Sequence, residues 1–80
     1  MDFSSNGYGF FFEIDTMRLL YGKYTHVAQI TRVLDDVNRR EVPLAQVTCK
    51  TNEIYGTSEQ DAWNQAAKIA REWAEAQPRY

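Results

Sequence analysis

From Tyr8 to Met17 the chain alternates. Tyr8, Phe10, Phe12 and Ile14 fall on one face, and Phe11, Glu13 and Asp15 on the other. That period of two is the mark of a half-buried strand. Leu19 to Lys23 carries the chain round a turn, with Gly22 suited to a positive φ. Residues 24–34 predict a second strand, rich in β-branched and aromatic side chains. Two inner faces compete for it. Tyr24, Ala28, Ile30 and Leu34 make one set, which brings His26 and Arg32 to the same side; Val27 and Val33 make the other. The first set is preferred, and a one-residue shift in the Tyr21-Gly22 turn would reverse the choice.

Asp35 to Arg40 is a charged loop, and residues 42–50 predict a third strand. Pro43 marks an edge or a lead-in, because proline has no N–H for the ladder. Ala45, Val47 and Cys49 would face in, and Gln46, Thr48 and Lys50 out. Gly56-Thr57-Ser58 ends the sheet region and a helix over 58–77 follows. Ser58 with Asp61, or Thr57 with Gln60, has capping-box spacing, and Glu59 and Asp61 complement the positive end of the helix dipole. Ala62, Ala66, Ile69, Ala70 and Trp73 recur at helical spacing, and Pro78 closes the element. Residues 1–7, ending in Asn6-Gly7, read as a frayed, turn-like lead-in. The expected fold is α+β: one domain with a three-stranded antiparallel sheet (β-β-β-α) and one C-terminal helix on one face.

Composition supports that reading. The 80 residues suffice for one domain, and hydrophobic residues at 44% with aromatics at 14% give a small core large side chains. A formal net charge of −2 lacks the basic surplus of most nucleic-acid binders. A single cysteine, Cys49, allows no internal disulfide. With no signal-like start and no apolar run of membrane-spanning length, the expectation is a cytoplasmic chain that does not engage a membrane.

Few residues suggest chemistry. His26 and Cys49 are the only histidine and cysteine. A catalytic pair would need hydrogen-bond reach and a third group to orient the histidine. No cysteine-enzyme motif surrounds either, and a buried cysteine usually serves as a small hydrophobe. Glu13 and Asp15 share an outer strand face, where nothing would drive their pKa values apart as paired catalytic carboxylates require. The scattered acids and one histidine lack metal-ligand spacing. No catalytic, cofactor-binding or metal residue is therefore assigned, and no cofactor is expected.

The segment Tyr8-Gly9-Phe10-Phe11-Phe12 is similar to the aromatic signature of RNA-recognition motifs, whose exposed rings stack bases. Tyr8 stands where that family has a basic residue and Phe11 where it has a small one. The helix between the first two strands is also missing. Gly56 to Trp63, in a strand-strand-strand-helix order, resembles the C-terminal part of double-stranded-RNA-binding domains and the arm-binding domains of phage-type integrases. The RNA-binding family grips phosphate with lysines at that helix start. Here Glu59, Gln60 and Asp61 stand there, so no binding residue carries over. Ser58 to Trp63 and Ala70 to Trp73 also resemble a group of short uncharacterised β-proteobacterial β-β-β-α proteins. That likeness covers mainly the last third of the chain and implies fold rather than activity.

The expected function is a small non-enzymatic protein-interaction or regulatory module, engaging another protein or a second copy of itself. Phe11, on the uncovered sheet face, and Trp63, beside the main helix stripe, are its candidate contacts. Core packing is the preferred role for Trp63. The alternative is a weak nucleic-acid binder, with Arg39 and Arg40 in one hairpin loop and Arg18 and Lys23 near the other touching phosphates.

Overall fold

In the computed structural model, residues 1–47 and 53–78 are described, and of residues 18–21 the backbone only. Asn6 and Gly7 both take positive φ, 49° and 79°, as a two-residue hairpin turn requires. They fold β1 (Phe3–Ser5) back on β2 (Tyr8–Tyr21), pairing Phe3 with Phe10 and Ser5 with Tyr8. Phe3–Ser5 is thus a strand where the sequence pattern predicts a lead-in. Gly22, with φ 60°, turns the chain into β3 (Tyr24–Asp35).

The predicted third strand over 42–50 is corrected. Arg40–Val42 (β4) pairs with the end of β3, and a single 3₁₀ turn, Leu44–Gln46, follows Pro43. Ile54–Gly56 (β5) then pairs with β3 further along, Ala28 opposite Ile54. Among the described residues the antiparallel sheet therefore has five strands rather than three, in the order β1-β2-β3-β4, with β5 also on β3. Proline ends the ladder because it has no N–H to donate. Ala45 is exposed rather than inward, and Val47 is buried as expected. Thr48, Cys49 and Lys50 lie outside the described residues.

A bulge settles the facing of β3. Phe11 pairs with Arg32 but Phe12 pairs with Ile30, leaving Thr31 without a partner residue across the ladder. One extra residue reverses the alternation. Ala28 and Ile30 face inward before it, and Val33 and Asp35 face inward after it, all four buried. Each predicted set is thus right on one side of Thr31. Arg32 is on the outer face, not the inner one.

The helix α1 (Glu59–Ala76) packs on the inner face and buries Ala62, Ala66, Ala70 and Ala74 in one i, i+4 row. These small side chains bring it close to the sheet. A methyl on Gly56 would sit 2.3 Å from the Ala62 nitrogen, so only glycine fits there. Ser58 caps the helix, its Oγ accepting from Asp61 N at 3.0 Å, while Asp61 Oδ2 accepts from Thr57 N at 2.8 Å. Ile69, expected in the stripe, is 38% exposed. It lies beside the alanine row, on the side away from Ala67. The core joins Phe10, Ile30, Val33 and the alanines, with Trp73 donating from Nε1 to Gln46 O at 2.8 Å. No helix among the described residues is long and apolar enough to cross a membrane.

Candidate functional site

Among the described residues no element covers the outer face of the sheet, which β2 and β3 share, and the longest stretch of edge without a paired strand lies on β2, whose 14 residues far outrun the three-residue β1.

The edge follows from backbone geometry. Phe10 O accepts from Asp2 N at 2.9 Å, and Phe12 N donates to Asp2 Oδ2 at 2.9 Å. Even-numbered residues of β2 therefore aim their backbone groups away from β3. Asp2 supplies the last acceptor as a side chain, where a longer β1 would supply a carbonyl. Past it, Ile14 and Thr16 face outward from the sheet plane's margin, since both remain paired to β3, opposite Ala28 and His26, in the same parity. No described strand covers them. An extended row of N–H and C=O groups of this kind is a template for another strand.

Side chains give the edge a character. Glu13 and Asp15 stand exposed on its outer side. On its inner side Ile14, Glu59, Gln60 and Trp63 line an open hollow of about 290 Å³. Trp63 is half-buried, edge-on to Phe12 at 5.7 Å and to Phe3 at 6.1 Å. Its packing belongs to the core margin, and its remaining surface to this hollow.

On the outer face Phe11 is half-buried rather than an isolated exposed ring. The Arg32 guanidinium lies 5.9 Å from its centroid and pairs through Nε with Glu41 Oε1 at 2.6 Å. Leu34, Gln29 and Val27 are half-buried along the same face, opposite Gly9, Glu13 and Asp15 in turn, and Glu13 and Asp15 continue the face as charge. The face is apolar in patches and acidic toward the open edge.

The arginine loop is built around Asp35. This carboxylate is only 1% exposed and accepts from Val37 N and Asn38 N, both at 3.2 Å, and from Asn38 Nδ2 at 2.9 Å. Arg40 Nε stands 3.6 Å from it. Arg39 is exposed and holds a left-handed φ of 54°. The turn at Gly22-Lys23 is at the opposite end of the β2–β3 ladder, whose limits are Tyr8 opposite Asp35 and Tyr21 opposite Tyr24. The two basic loops are thus separated by most of the molecule's 43 Å length.

His26 Nδ1 lies 2.7 Å from Thr25 Oγ1, and Cys49 is outside the described residues. Asp61 has its pKa lowered, chiefly by the Thr57 backbone N–H; desolvation opposes this, and the Thr57 hydroxyl, Gln65 and the Lys23 charge assist it. Among the described residues no group of three His, Cys, Asp or Glu side chains is placed to hold a metal ion.

The open edge was not legible as a site from residue types, because backbone groups form it. Comparison with protein-family models, with curated proteins and with solved structures found no match.

Proposed function

We propose that the chain is a small non-enzymatic protein-interaction or regulatory module that meets its partner through the sheet. The observation that carries this reading is the exposure of β2 along both its outer face and its edge. Phe11, with Arg32 over its ring, offers an apolar contact framed by charge, a mixture common at interfaces. The non-enzymatic part rests on separation by face: Glu13 and Asp15 are exposed on the outer side of the sheet, while His26, opposite Thr16, is on the other side and engaged with Thr25.

The phosphate-binding alternative has weaker support. Arg39 and Arg40 are remote from Lys23, and the residues beside them, Asp35, Asp36 and Glu41, bring negative charge to the same loop. Phosphate binding gains strength from cations that act together on one backbone.

The test is to add the ¹⁵N-labelled chain to a concentrated lysate of its own cells. The reading expects selective loss of amide signals from β2 and β3, with the outer side of the helix (Lys68, Glu72, Glu75) retained. Uniform broadening from viscosity alone would contradict it.

A further inference from the structure

We propose that the open edge of β2, at Ile14 and Thr16, takes up an extended lysine- or arginine-bearing segment of another protein by strand addition. The inference rests on the interaction-module reading and names the surface and the chemistry of the partner.

Three observations converge on it. First, Ile14 and Thr16 carry the next outward backbone groups after Phe12, whose N–H is already satisfied by the Asp2 carboxylate. An incoming strand would supply the carbonyls and N–H groups that β1 is too short to provide. Second, the hollow of Ile14, Trp63, Gln60 and Glu59 flanks this edge on the inner side. A long basic side chain suits it. Its methylenes would lie on Ile14 and the Trp63 ring, and its charge would reach Glu59. Third, Glu13 and Asp15 border the edge on the outer side, both exposed. Opposite charges directly across a strand pair favour pairing, and like charges oppose it.

The same acids argue against a second copy as the occupant. Antiparallel pairing of two β2 strands about Ile14 sets Glu13 opposite Asp15 of the other copy. A basic strand meets attraction at those positions.

The probe is a capped nine-residue peptide with three consecutive lysines at its centre, flanked on each side by threonine, valine and threonine, so that lysine can fall opposite Glu13, Ile14 and Asp15. Two controls accompany it: the same peptide with glutamate for lysine, and the lysine peptide methylated on its five central backbone nitrogens. The second keeps the charge and cannot form a strand. The expected result is movement of the Ile14 and Thr16 amide resonances with the lysine peptide alone. In the double variant Glu13→Lys/Asp15→Lys, the lysine peptide should weaken by about tenfold and the glutamate peptide should gain. These positions are exposed, so the variant should retain the fold. Absence of binding at millimolar peptide, shifts centred on another surface, equal binding of the methylated peptide, or no change in the double variant would overturn the proposal. If the lysate experiment still shows loss of sheet signals, the interaction reading stands and only the basic strand is wrong.

Discussion

Asp61 ties the end of the sheet to the start of the helix. It accepts from Thr57 N at 2.8 Å and Thr57 Oγ1 at 3.1 Å, and its own N–H donates to Ser58 Oγ. Bonds to the ionised form lower its pKa. A carboxylate lowered on folding stabilises the folded state above its unfolded value, about 3.9, and that contribution fades as pH falls through the folded value. Asp61→Asn should therefore be less stable than the parent at neutral pH, and the gap should close as pH drops below about 4. Urea unfolding across a pH series checks this; a gap independent of pH would assign the effect to packing instead. The spacing of Ser58 and Asp61 shows the cap in the sequence. That Asp61 reaches back to Thr57 rather than to Ser58 depends on how the chain leaves β5, which spacing alone does not encode.

At the scale of elements, Thr31 decides the inner face of β3. It has no partner residue in the ladder, and its hydroxyl donates to Phe11 O at 3.2 Å. Deleting Thr31 would restore strict alternation, turning Val33 and Asp35 outward if the first half of the strand kept its place. The loss should exceed the roughly 5 kcal/mol available to a domain of this size, so the deletion variant should show no cooperative thermal transition by circular dichroism. A parent-like transition would mean that the bulge moves to a neighbouring residue at little cost. This also explains what was legible. The strands at Tyr8 and Tyr24 and the helix follow from periodicity, which local side chains set. The face of β3 does not, because a bulge is a relation between two strands. β1 has no period to read, because Phe3-Ser4-Ser5 is too short for one, although Asn6-Gly7 is a strong hairpin signal. The third strand failed at Pro43, where the chain leaves the ladder and rejoins it as β5. Phe11 and Trp63 were placed on the correct elements, but the cover Arg32 gives Phe11 requires the bulge.

As a whole the molecule is long, 43 × 19 × 19 Å. Its Cα radius of gyration of 13.0 Å exceeds the roughly 12 Å of a compact chain of this length. The length comes from β2 and β3, which extend as a hairpin beyond the last pairing with β5 at His26 and Gly56. A shape of this kind offers much backbone edge for little mass. It also places the two basic loops at opposite ends, which disperses the cations a phosphate backbone would need together. The central claim is that β2 presents an open edge in the isolated chain. Native-state amide exchange reads it directly, because neighbouring residues of one strand point their N–H groups to opposite sides. The account predicts that Ile14 and Thr16 exchange at least about a hundredfold faster than Glu13 and Asp15, whose N–H groups bond to β3. Equal protection of all four amides would show the edge already covered, and would contradict it.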